Sequence, residues 1–218
     1  ADAIETYRTA ANVAADNAAQ LYRISQVQMS LQDVEGAVTS LRYAVNLNPK
    51  IVPAQAALAR LTYDLDGFEA AMKMVDALQD KFPGSPAADT VRGDVLMRHK
   101  QFGDAIATYD AAFGKSRTSK QAQRLFKARW ASGDRIAAVD RLDAWIKSNP
   151  NDTRTRRVLA LVHLKVGNTD LVISQYEALA EISSQDIVII YNLTIVAGYS
   201  HYQQSGQFVS SAWLQFRK

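Results

Sequence analysis

Residues 17–49 read NAAQLYRISQVQMSLQDVEGAVTSLRYAVNLNP, and residues 51–83 read IVPAQAALARLTYDLDGFEAAMKMVDALQDKFP. The second stretch repeats the first 34 positions on: Pro49 meets Pro83, Ala44 meets Leu78, Leu41 meets Val75, Ala37 meets Ala71 and Ile24 meets Leu58. Each holds two runs whose apolar residues fall three or four apart, the spacing of one helix face. Each ends on a proline, which lacks the amide a continuing helix would donate. A fixed period with two helical runs marks a repeat array, in which a hairpin buries its apolar face only against its neighbours.

Outward from these two units the register continues. Repeats are expected at 18–50, 51–84, 85–117, 118–152 and 153–185. Ahead of them, Ala3, Tyr7 and Ala10 stand 34 positions before Ala37, Leu41 and Ala44, so residues 2–17 read as the second helix of a partial repeat. The chain is therefore expected to be a fragment that starts inside a repeat. Behind them, 186–218 opens a sixth repeat with Ile187, Ile190 and Leu193 in register, and the pattern fails from Ala197 on. That tail reads equally as a divergent capping helix or a foreign segment. The whole is expected to form one domain over 1–218.

Four positions break the pattern. Arg92 stands where Ile24 and Leu58 stood, which predicts a shifted or looser first helix in the third repeat. Arg117 replaces the closing proline of the same repeat. In the fourth, Phe126 replaces the small residue found at Ser25, Ala59, Gly93 and Ala160, and Trp145 replaces Ala44. Large side chains at close helix contacts predict a wider or repacked pair.

Composition narrows the chemistry. With 218 residues, 48% of them hydrophobic, the chain can bury a substantial core. It has no cysteine, hence neither disulfide nor thiol chemistry. His99, His163 and His201 stand apart without metal-ligand spacing, and there is no phosphate-cradling glycine loop or nucleophile elbow. No enzyme activity, metal or cofactor is expected. The longest apolar stretch, Ile187 to Tyr199, is interrupted by Asn192 and Thr194 and falls short of the ~20 residues of a spanning helix, so no membrane insertion by this segment is expected.

Net charge is +3 but unevenly spread: residues 1–90 carry 7 Lys/Arg against 11 Asp/Glu, and residues 91–218 carry 18 against 11. A basic second half suits an acidic partner. Six basic residues lie between Lys115 and Arg129, yet the overall charge is far below that of typical nucleic-acid binders, and no nucleic acid is expected.

The register resembles the tetratricopeptide repeat (TPR) family over residues 2–193. Ala37, Ala71, Ala105 and Ala138 match its packing alanine. Leu41, Val75, Tyr109, Leu142 and Tyr176 match its large residue in the second helix, and Pro49, Pro83 and Pro150 its closing proline. The family's early Trp is replaced by Leu21, Gln55, Asp89, Ala122 and Arg156, and its Tyr before the turn by Gln28, Thr62, Leu96, Arg129 and His163. More loosely, Leu142-Asp143-Ala144-Trp145-Ile146, Asn149-Pro150-Asn151-Asp152 and Gln175-Tyr176-Glu177-Ala178-Leu179 are similar to bacterial TPR proteins of exopolysaccharide and exosortase (PEP-CTERM) loci. Some of those face the periplasm, so that resemblance implies a periplasmic or outer-membrane-associated parent protein.

The TPR resemblance implies an all-α, right-handed α/α superhelix of about five helical hairpins, with first helices lining a concave groove. The groove residues should lie one stripe away from the packed face: Tyr22, Gln26 and Met29; Arg60 and Tyr63; Asp94 and Met97; Lys120, Gln123, Lys127 and Trp130; Arg157, Leu161 and Leu164. The implied function is a non-catalytic scaffold binding a peptide or protein segment; Lys120, Arg124 and Lys127, at i, i+4 and i+7, with Arg60 and Arg157, suit carboxylates of that segment. The family's carboxylate clamp has no counterpart, since Tyr22, Gln26, Ala56 and Arg60 occupy its places. The alternative is a structural spacer or oligomerisation module in a bacterial cell-envelope assembly, with homo-oligomers forming through terminal repeats.

Overall fold

The computed structural model of the chain describes residues 2–205. The described residues form twelve α-helices and no strand: α1 (Asp2–Val13), α2 (Ala18–Ser30), α3 (Val34–Leu47), α4 (Val52–Asp66), α5 (Phe68–Lys81), α6 (Pro86–Arg98), α7 (Phe102–Lys115), α8 (Ser119–Ser132), α9 (Arg135–Ser148), α10 (Thr153–Lys165), α11 (Thr169–Ile182) and α12 (Ile187–Ser205). The part of the divergent tail between Ala197 and Ser205 continues α12, and residues 206–218 lie outside the described residues.

Local chemistry sets where these helices begin. The side chains of Asn17, Asp33, Ser85, Thr118, Asp134 and Asp152 each accept a hydrogen bond from an amide in the first turn of the helix that follows. A cap of this kind stabilises a helix by about 1 kcal/mol. Pro53 and Pro86 sit in first turns, where the missing amide costs nothing. The turns inside hairpins reverse through the left-handed region, at Gln32, Gly67, Lys100, Gly133 and Gly167. Glycine enters that region freely, whereas Gln32 and Lys100 do so at a steric cost.

The packing contacts divide the chain into two compact units, one ending at Arg117 and the other starting at Thr118. The division falls beside the exit that lacks a proline. In the first unit, Leu21, Ala37, Leu41 and Ala44 share a core with Ala54, Leu58 and Leu61. Ala59, Ala71, Val75 and Leu78 share the next with Ala88, Val91 and Val95. In the second unit, Phe126, Ala138, Leu142 and Ile146 pack with Leu159 and Val162, and Ala160, Val172, Tyr176 and Leu179 with Ile189 and Val196. Each core thus takes residues from one hairpin and from the first helix of the next, as a stacked array requires. The alanines at 37, 71, 105 and 138 are fully buried.

The irregular positions resolve within the alternatives expected for them. Helix α6 shifts its packed face and does not loosen. Val91 and Val95 are buried, while the half-buried Arg92 turns to α5, where it hydrogen-bonds Gln79 and pairs with Asp76. In the fourth repeat the pair is repacked. Phe126 stays in the core against Trp130, with ring centroids 5.7 Å apart, and Ile146 is buried. Trp145 is left half-buried, and its indole Nε1 donates to Asp152 Oδ2 at 2.7 Å. Phe102-Gly103-Asp104 forms the first turn of α7.

Candidate binding face of the first helices

The even-numbered helices α2 to α10 are the first helices of the five repeats, and every residue expected to line a groove lies on one of them. None of the fourteen is buried. Gln26, Arg60, Lys120, Lys127, Arg157, Leu161 and Leu164 are exposed, and Tyr22, Met29, Tyr63, Asp94, Met97, Gln123 and Trp130 are half-buried.

In the first unit, Gln26 Nε2 donates to the Tyr22 hydroxyl at 3.1 Å, and Tyr22 and Met29 lean on the first core. Tyr63 joins an aromatic cluster spanning two repeats. Its hydroxyl lies 3.1 Å from His99 Nδ1, His99 stacks on Phe68 at 3.9 Å, and the Arg98 guanidinium sits 5.4 Å above the Tyr63 ring while pairing with Asp64. Asp94 accepts a hydrogen bond from the Tyr109 hydroxyl at 2.5 Å, so it holds α7. Arg60 has no polar partner among the described residues.

In the second unit a polar seam ties the first helices together. Gln123 Nε2 on α8 donates to Thr155 Oγ1 on α10 at 2.9 Å and to Ser119 Oγ at 3.2 Å. Thr155 donates in turn to Asp152 Oδ2 at 2.8 Å. Burial pushes the Asp152 carboxyl up, but hydrogen bonds from the Thr155 amide, the Trp145 indole and the Ser119 and Thr155 hydroxyls outweigh it and hold the group below its usual range. Arg157 is committed as well: its guanidinium donates to Asp186 Oδ2 at 2.6 Å, and the other carboxylate oxygen of Asp186 caps α12 through the Val188 and Ile189 amides. Trp130 lies between Phe126 and the Arg135 guanidinium, 5.3 Å away. Lys120 and Lys127 have no carboxylate partner among the described residues.

Two surface residues escaped the sequence reading. Tyr191 and Ile195 on α12 are exposed and stand 34 positions after Arg157 and Leu161, so they occupy the same stripe one repeat on. The offset alone would have found them. Also missed was a segregation of charge. Helices α8 and α10 carry eight Lys/Arg and no carboxylate, and α12 carries neither, whereas α9 and α11 hold five Asp/Glu. No group of three or more His, Cys, Asp or Glu side chains among the described residues is placed to hold a metal, and no helix among them is long and apolar enough to cross a membrane.

This geometry matches known repeat proteins. The yeast Tom70 crystal structure superimposes with TM-score 0.68 and 18% identity over 99% of this chain and 46% of that one, so the chain spans less than half the length of this neighbour. A thermophilic TPR protein from Thermus thermophilus superimposes with TM-score 0.57 and 17% identity over 82% of this chain and 98% of its own. Pseudomonas aeruginosa pilF gives TM-score 0.54 and 14% identity over 99% and 100%. At these identities the likeness is one of fold, an all-α TPR solenoid. No curated protein matches the chain, and the resemblance to exosortase-locus proteins rests on its short motifs alone. The model of the tetratricopeptide repeat-like domain matches residues 5–132, more than half of the sequence, and the chain belongs to that family.

Proposed function

We propose that this chain is a non-catalytic scaffold that binds a segment of another protein along the exposed stripe of its first helices. A TPR array is a protein-interaction scaffold, and this fold leaves one side of each first helix uncovered. The observation that carries the reading is the state of that stripe in the second unit. Lys120, Lys127, Leu161 and Leu164 face solvent without a partner in the described chain, although the seam of Gln123, Thr155 and Asp152 fixes the helices that present them. Rigid presentation of unsatisfied groups lowers the ordering cost of association.

The test is selection of a random peptide display library on the full chain. Binders should lose affinity on Lys127→Glu or Leu161→Ser and keep it on Ile136→Ser, which alters an exposed apolar residue of the second helix α9. Binders indifferent to the first-helix substitutions would overturn the proposal.

A further inference from the structure

Along the first helices of the second unit the surface chemistry changes from one end to the other. Helix α8 presents Lys120 and Lys127, both exposed and unpaired among the described residues. Helix α10 presents Leu161 and Leu164, 53% and 52% exposed. Helix α12 presents Tyr191 and Ile195, 64% and 49% exposed. None of the three helices carries a carboxylate. The row thus runs from unpaired lysines on α8, through α10, whose Arg157 is neutralised by Asp186, to α12, which carries no charge, and it complements a guest with acidic groups at one end and apolar groups at the other.

We propose that the second unit takes an acidic amphipathic segment of a partner protein, its carboxylates over Lys120 and Lys127 and its apolar side chains over Leu161, Leu164, Tyr191 and Ile195. This rests on the reading of the first-helix stripe as the binding face, and names what that face selects. Packed helices lie about 8–10 Å apart, so the row from α8 to α12 is about 20 Å long. That length corresponds to about 13 residues of helix or about six of extended chain, with acidic and apolar groups in separate halves. Other occupants fit less well. A nucleic-acid strand would leave the α10 and α12 leucine, isoleucine and tyrosine side chains without apolar cover. A helix that lies in a membrane surface carries its cations and its apolar face together, whereas α12, which presents Tyr191 and Ile195, carries no Lys or Arg.

The experiment measures binding of a labelled peptide of about 14 residues, with glutamates in one half and leucines in the other, to the full chain at physiological salt. Glu→Lys and Leu→Ser versions of the peptide serve as controls. The acidic–apolar peptide should bind at least about tenfold tighter than either control. The double variants K120E/K127E and L161S/I195S should each weaken it by about tenfold or more, and K120E/K127E should gain affinity for the Glu→Lys peptide. Circular dichroism of both variants establishes that they fold. Equal binding of the three peptides would overturn the inference. So would tighter binding of a mixed single-stranded oligonucleotide or of phosphatidylserine vesicles. Light scattering that shows a dimer dissociated by L161S/I195S would overturn it in favour of a second copy of this chain. If display-selected binders require the first helices but lack the acidic–apolar pattern, this inference fails alone; if none requires them, the reading beneath it fails too.

Discussion

Gly93 on α6 lies directly against the ring of Tyr109 on α7: a Cβ at position 93 would stand 2.4 Å from Tyr109 Cε1. The ring is buried and its hydroxyl is held by Asp94, so it has little room to retreat. Alanine gains about 1 kcal/mol over glycine in a helix, while overpacking a core costs about 1–3 kcal/mol. With the ring pinned on both sides, the second effect wins. Gly93→Ala should lower stability by up to about 2 kcal/mol, read as a lower unfolding midpoint. In a Tyr109→Leu background the penalty should vanish. A stabilised Gly93→Ala chain would contradict this account of the contact.

That contact shows how much of the fold was legible. The 34-residue offset put Gly93 in the column of Ser25 and Ala59, where helices approach closely, and the buried alanines of the second helices followed from the same spacing. Arg92 marked a shifted helix face, but the column did not show where its own side chain would go. That long side chain left the core for Gln79 and Asp76, and Val91 and Val95 filled the space. The candidate face was legible as a stripe but not as chemistry. Nothing in the spacing shows that Arg157 is occupied by Asp186, or Asp94 by Tyr109, because those pairings join residues far apart in the chain.

Arg8 is expected to hold α1 in place. Its Nε and a terminal nitrogen donate to the two carboxylate oxygens of Asp33 at 3.0 and 2.6 Å, and Asp33 also caps α3 through the Gly36 amide. The Arg8 hydrogen bond holds the Asp33 carboxyl below its usual 3.8, against the opposing effect of burial. Folding favours the ionised form, so the contribution is present above pH 3.8 and disappears as pH falls through the lowered value. Arg8→Gln should speed hydrogen exchange at the amides of α1 and leave the α5 amides unchanged. Unaltered exchange in α1 would show that the pair does not anchor it.

His163 should make stability fall in mild acid. It is buried on α10, which favours the neutral ring and lowers its pKa from 6.5, while Asp143 on α9 works in the opposite direction. The unfolded chain takes up the proton first, so stability is lost as pH drops below 6.5. Urea unfolding at pH 7 and pH 5.5 should show this loss in the native chain and a smaller one in His163→Gln. An identical pH dependence in the variant would exclude His163 as its source.

The seam beneath the binding face should be graded in strength. Trp145→Phe keeps the ring and removes the hydrogen bond to Asp152; such bonds to charged groups contribute about 1.5–3 kcal/mol when buried. With Trp145 half-buried, a loss of about 1 kcal/mol is expected. Asp152→Ala also removes the α10 cap and the carboxylate that accepts from the Thr155 hydroxyl, and should cost about 2–3 kcal/mol. Denaturant midpoints measure both. A larger loss from Trp145→Phe would place the anchor in ring packing instead.

The most direct test of the central claim is site-specific photo-cross-linking to the acidic–apolar peptide, with a photoreactive residue placed in turn at Lys127, Leu161, Tyr191, Ile136 and Glu177. The first three lie on α8, α10 and α12, and the last two on the second helices α9 and α11. Adducts from the first three positions alone are predicted. Adducts from Ile136 and Glu177, with none from the first three, would contradict the assignment of the binding face.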